Sequence, residues 1–189
     1  MPQLITGLFL FFGAHSISFV NEPWRDRMAS RLGESTWKGI YALVSLVGLV
    51  LIVHGYGAAR YDPLILYAPP VWLRHLAFLL LLPVFPLLLA TYLPGRIKKA
   101  VKHPMILAVK LWAFAHLLAN GALADVLLFG GFLGWAVAER ISLKRRTPRP
   151  VPGAGESNRN DMIAVAGGLA VYVVTVLWLH RVLIGVSVL

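Results

Sequence analysis

The chain has 189 residues, 58% of them hydrophobic and 14% charged, with 18 Lys and Arg against 8 Asp and Glu for a net charge of +10, and a mean hydropathy of +0.73. Soluble domains run at about 45–50% apolar and about 25% charged residues, so this composition excludes an ordinary soluble domain and fits a membrane protein. Cysteine is absent, which removes disulfide frameworks, thiolate ligands and cysteine nucleophiles.

A bilayer core takes roughly 20 mostly apolar residues per helix, fewer where a span is short. Six stretches meet this, at residues 4–20, 37–58, 71–93, 105–119, 123–141 and 162–189. The expected fold is therefore all-α, a polytopic membrane helical bundle of about six transmembrane helices. The first stretch has the apolar length of a signal peptide, but no positive residue precedes Arg25, and it is expected to be a retained helix. Trp24, Trp37, Tyr41, Trp72 and Tyr92 fall near membrane interfaces. Pro69-Pro70 and Pro94-Gly95 bracket the third span, and Pro83 and Pro86 inside it predict a kink rather than a break. Asn120-Gly121 predicts a tight turn between the fourth and fifth. Residues 147–160, "TPRPVPGAGESNRN", have the Pro, Gly and Ser content of a flexible cytoplasmic linker. It separates a five-span membrane domain, 1–146, from a C-terminal transmembrane helix, 161–189.

Charge gives direction. Fourteen of the 18 Lys and Arg lie in or at the edges of the connections after spans one, three and five, whereas only Arg60 and Arg74 lie in or at the edge of the connection after span two. By the positive-inside rule the three basic connections are cytoplasmic and both termini lie outside. The same asymmetry accounts for the net charge through contact with anionic lipid. No basic stretch is interleaved with base-stacking aromatics, so no nucleic-acid partner is expected.

Ionisable groups inside a span are costly, about 2.5 kcal/mol and upward for a charge at mid-membrane, so they face the bundle interior or a cavity. Six histidines are candidates: His15, His54, His75, His103, His116 and His180. Neutral imidazole is the least costly such group, and it serves either as an interhelical hydrogen-bonding partner or as a ligand for haem iron. His103 and His116 are thirteen residues apart, roughly 20 Å along a helix, and cannot hold the same iron. His103 precedes Pro104 and reads as the start of a helix at the interface. Trp112, His116 and Asn120 recur every four residues with Ala113 beside them, a face that suits a planar cofactor and equally suits helix packing. In "LFLFFGAHSISF", His15 has Phe11 and Phe12 one turn before it, and Gly13, Ala14 and Ser16 offer room for close approach, so His15 is expected to face inward. Lys110 either snorkels to the interface or meets a haem propionate. Glu139 and Arg140 close the fifth span. Asp125 opens it, with Arg60, Arg74, a histidine or water as its candidate partners. No P-loop, dinucleotide fingerprint, zinc-protease helix motif or Gly-x-Ser-x-Gly elbow is present.

The segments "GLFLFFGAHS", "RLGESTWKGIYALVSLVGLVLIVHGYG", "HPMILAVKLWAFAHLLANG" and "LLFGGFLGWAVAERIS" together resemble the NnrU family, associated with nitrite and nitric oxide reductase genes of denitrifying bacteria. The resemblance covers about residues 1–146. That family is similar in turn to the plastid 15-cis-ζ-carotene isomerase, a membrane enzyme with a b-type haem. The shared marks are His15-Ser16, Gly33-Glu34 followed by "VSL", and His103-Pro104 followed by "WxxxH". The resemblance implies haem b with His15 and His116 as the axial iron ligands; Trp112 and Asn120, which share the helix face of His116, are the further expected cofactor contacts. Where the isomerase has a cysteine three residues before the second histidine, this chain has Ala113, so a ligand exchange through that thiol has no counterpart. By depth in the bilayer His15 and His116 differ by about 10 Å. His54, His75 and His180 sit closer in height to His116, and His54 and His75 stand as reserve ligands. Three functions follow as expectations. One is a haem b redox or sensing component of nitrite and nitric oxide respiration in a bacterial inner membrane, with a respiratory redox partner. Another is a haem-dependent cis-trans isomerase of a lipid-soluble polyene. The third is a haem-free membrane assembly factor.

Overall fold

The computed structural model describes residues 1–146 and 149–188. Its helices are α1 (Pro2–Val20), α2 (Glu22–Leu32), α3 (Glu34–Ala59), α4 (Trp72–Leu81), α5 (Val84–Tyr92), α6 (Arg96–Val101), α7 (Pro104–Ala119), α8 (Leu123–Ser142), α9 (Asn158–Val174) and α10 (His180–Ile184), with a π-wound turn at Thr175–Leu179 joining the last two. The all-helical expectation holds among the described residues, where extended pairing is confined to an isolated bridge between Ile65 and Ala122.

Among the described residues four helical stretches are long and apolar enough to cross a membrane: Pro2–Val20, Glu34–Ala59, Trp72–Tyr92 and Asn158–Ile184. Each matches an expected span. The other two expected spans are helices of a different kind. α7 is apolar but has 16 residues, about 24 Å at 1.5 Å per residue, short of a core of about 30 Å. α8 has 20 residues and carries Asp125, Glu139 and Arg140 along its length. The chain is a membrane protein with a bundle of such helices.

The described residues pack as two compact units, one formed by Met1–Leu66 with Ala122–Gly131, the other by Tyr67–Gly121 with Phe132–Leu189, of which Thr147, Pro148 and Leu189 lie outside the description. In the first, α1 and α3 pack through glycine. A β-carbon on Gly7 would stand 2.6 Å from the amide nitrogen of Ile52, and one on Gly48 would stand 2.9 Å from that of Phe11. Bare backbones at these positions let the helices approach as membrane helices do when small residues line their seam. Gly13, expected to give such room, is exposed with nothing near its missing β-carbon. The apolar residues of α3 facing away from α1, Leu43, Leu46 and Val53 among them, are exposed, as a lipid-facing surface requires.

α2 is a helix that hydropathy does not reveal. Asn21 caps it by accepting the Trp24 N–H at 3.0 Å, with Pro23 in its first turn. Gly33, at φ +81°, then turns the chain into α3.

In the second unit, Val84, Leu87 and Ala108 form a core that Leu111 and Trp112 extend. The expected kink lies at Leu82–Pro83, between α4 and α5. The hydrogen-bond ladder lapses there and resumes as the Leu87 N–H donates to the Pro83 carbonyl at 2.9 Å. The segment expected to be a flexible linker is instead fastened to the turn after α5. The N–H of Ala154 donates to the Tyr92 carbonyl at 2.9 Å and that of Ser157 to Pro94 at 3.2 Å. The Asn160 amide bridges the Pro94 and Gly155 carbonyls at 2.8 and 2.9 Å. Polar, glycine-containing chain is well suited to supply donors to carbonyls left open where a helix ends at proline. The N-terminal edge of the linker, Thr147 and Pro148, lies outside the described residues.

Candidate functional site

His15 and His116 share one local arrangement. Nδ1 of His15 lies 2.8 Å from the carbonyl oxygen of Phe11, and Nδ1 of His116 lies 2.8 Å from that of Trp112. A carbonyl only accepts, so each contact is a hydrogen bond only when the ring carries a proton on Nδ1, which in neutral imidazole puts the lone pair on Nε2. That is the tautomer an imidazole needs to ligate a metal through Nε2, held by a partner on the far side of the ring. The residue supplying each carbonyl is aromatic and also touches the ring. Phe11 stacks on His15 with centroids 4.0 Å apart, and Trp112 leans over His116 at 5.2 Å. Tyr41 adds a tilted contact to His15 at 5.1 Å, and Phe132 meets Trp112 edge-on at 5.4 Å.

The structure describes His15 in the first unit and the Trp112, His116 and Asn120 set in the second. Within that set Asn120 has a structural task. Its side-chain amide and its backbone N–H each donate to the His116 carbonyl at 2.9 Å, which closes α7. Ala113 is fully buried. Both candidate ligands are half-buried, whereas the reserves His54 and His75 are exposed. His180 uses Nδ1 on the carbonyl of Val186 at 2.9 Å. His103 stands at the N-cap of α7 ahead of Pro104. Burial, and then the positive charges of Arg140, Lys102 and Arg146, hold its pKa below the ordinary imidazole value.

Beside His15 lies a cavity of about 220 Å³, bounded by α1, the start of α2 and the first turns of α3. Ser18, Trp37 and Tyr41 line it together with two cations, Arg25 and Lys38. Elsewhere in the same unit Asp125 accepts the Tyr56 hydroxyl at 2.6 Å and the Ala122 N–H at 2.8 Å. Its partner is thus a tyrosine outside the expected set, with the second oxygen capping α8. In the second unit Glu139 pairs with Arg146 rather than with Arg140 beside it.

Comparison with known families gives a match over residues 3–188 to the family described as NnrU protein. The chain belongs to the NnrU family. The NnrU match extends through α9 and α10, beyond the residues 1–146 that carry the resemblance in sequence motifs. No curated protein and no solved structure matches this NnrU chain. Sequence reasoning missed the cations beside His15, because Arg25 and Lys38 appear in sequence only as topology-setting charge. It marked Phe11 before His15 and Trp112 before His116 separately, without joining them as one repeated signal, an aromatic residue four before each candidate histidine.

Proposed function

We propose that this NnrU protein binds haem b, with His15 and His116 as its iron-ligating imidazoles, and acts as a redox or nitric-oxide-sensing component of nitrite and nitric oxide respiration. The observation that carries the reading is the matching Nδ1 contact in the two histidines. Two half-buried imidazoles in apolar helices, each with Nδ1 spent on the carbonyl one turn back, would hold their Nε2 lone pairs in the form iron requires. The donor set fits haem: neutral nitrogen ligands, flanking aromatic rings and, near His15, cations of the sign that carboxylates need. Bound haem would supply a one-electron iron couple. The protein's own residues orient the imidazoles.

Ala113 favours the redox or sensing reading over polyene isomerisation, since a buried methyl group stands where the isomerase has a thiol. The charge distribution supports placement in a bacterial inner membrane with both termini periplasmic. An absorption spectrum of the detergent-purified protein, oxidised and then reduced, tests the reading. Sharp low-spin haem bands that shift on reduction are expected, and a protein expressed with ample haem that shows no such bands contradicts it. Addition of a cis-polyene to the reduced protein should leave the polyene unchanged.

A further inference from the structure

The cavity beside His15 has a polarity that the histidine alone does not explain. Its lining residues include two cations, Arg25 and Lys38, and no carboxylate. Aromatic Trp37 and Tyr41 form its walls, and the imidazole lies against it. Such a site takes a flat or apolar body with an anionic end. At about 220 Å³ it falls below the range of roughly 300–1,000 Å³ typical of pockets that enclose a whole small ligand. It has room for one edge of a larger molecule rather than for the whole of one.

We infer that Arg25 and Lys38 bind a carboxylate of that molecule, which on the haem reading above, on which this inference rests, is a haem propionate. The Arg25 side chain is 18% exposed and spends one N–H on the exposed carboxylate of Asp26, at 3.0 Å. A guanidinium has five donors in a planar fork, so a carboxylate can be held without displacing Asp26. Lys38 is more exposed, and its partner Glu34, at 3.3 Å, is exposed as well. Exposed pairs of this kind contribute little, so exchanging Glu34 for a ligand carboxylate costs little. Arg25 carries most of the effect because it is the less hydrated and better shaped of the two.

The test is a titration of haem-free protein in detergent with hemin and with hemin dimethyl ester, which lacks the free carboxylates. Wild type, Arg25→Gln, Arg25→Lys and Lys38→Gln are compared, with affinity read from the Soret band and folding from the thermal transition. Arg25→Gln should weaken hemin by about tenfold or more, the loss expected for a hydrogen bond between charged groups. Arg25→Lys should restore part of the affinity, and Lys38→Gln should cost less than Arg25→Gln. The ester should bind wild type more weakly than hemin does, and Arg25→Gln should weaken the ester no further. Equal weakening of hemin and ester by Arg25→Gln would mean that Arg25 only shapes the fold, and an unchanged hemin affinity would dismiss it outright. Either result leaves the haem reading standing. A wild type that takes up neither compound overturns both. Wild type that binds vesicles of phosphatidylglycerol through Arg25 but discriminates poorly between hemin and its ester assigns the site to a lipid phosphate and overturns the propionate assignment.

Discussion

A β-carbon on Gly7 would stand 2.6 Å from the amide nitrogen of Ile52, inside any permissible contact, so α1 and α3 meet backbone to backbone at this point. Gly7→Val should force the helices apart and destabilise the protein by about 1–3 kcal/mol, the usual cost of overpacking. Gly13→Ala, on the same helix with nothing near the new methyl group, should be neutral or stabilising. Thermal unfolding in one detergent compares the two. Equal losses would mean that the glycines of α1 are interchangeable and that the seam is elsewhere.

Lys102 has φ +65° and ψ −46°, and the N–H of His103 donates to the Val101 carbonyl across it at 2.8 Å. This is a γ-turn of the strained hand, rare for a residue with a β-carbon. Lys102→Gly should therefore stabilise the protein by about 1 kcal/mol after allowance for the extra freedom of glycine when unfolded. A fall in the thermal midpoint would show that the lysine charge outweighs the strain.

Six hydropathy runs in the sequence became helices, because burying backbone in lipid leaves few alternatives to a helix and twenty apolar residues announce one. α2 was hidden for the same reason in reverse. It is polar, and only Asn21 and Pro23, an N-cap and a first-turn proline, mark its start. The docking of residues 153–160 could not be read at all. Composition shows that such a segment buries little, but not that Tyr92 and Pro94 leave carbonyls for it to satisfy. The candidate histidines were legible by residue type, and the cations beside His15 were not, since their meeting depends on how α1, α2 and α3 fold together.

Asn160 gives the docked segment a measurable energetic role. Its amide reaches the carbonyls of Pro94 and Gly155, and the residue is 7% exposed. Asn160→Ala should cost about 1–3 kcal/mol by leaving buried acceptors unsatisfied. Limited proteolysis should at the same time begin to cut within residues 149–157. Unaltered stability and cleavage would return the segment to the status of a free linker.

His103 makes stability depend on pH. Burial and the neighbouring Arg140, Lys102 and Arg146 lower its pKa in the folded protein, so between that value and about 6.5 the unfolded chain binds more protons than the folded one. Its favourable contribution is complete above about pH 6.5 and is lost as pH falls from there through the folded pKa. The thermal midpoint of wild type should drop across this range more steeply than that of His103→Gln. Parallel pH profiles for the two proteins would remove His103 from the account.

In the proposed haem site, iron would be held by imidazoles whose Nδ1 atoms contact the carbonyls of Phe11 and Trp112. The most direct measurement is the reduced-minus-oxidised absorption spectrum of wild type, His15→Ala, His116→Ala and His54→Ala purified in parallel. Wild type and His54→Ala should give the same sharp low-spin bands, while His15→Ala and His116→Ala should each lose haem or turn high-spin, because each would remove one of the two proposed iron-ligating nitrogens. Low-spin spectra of undiminished intensity in both His15→Ala and His116→Ala would contradict the account.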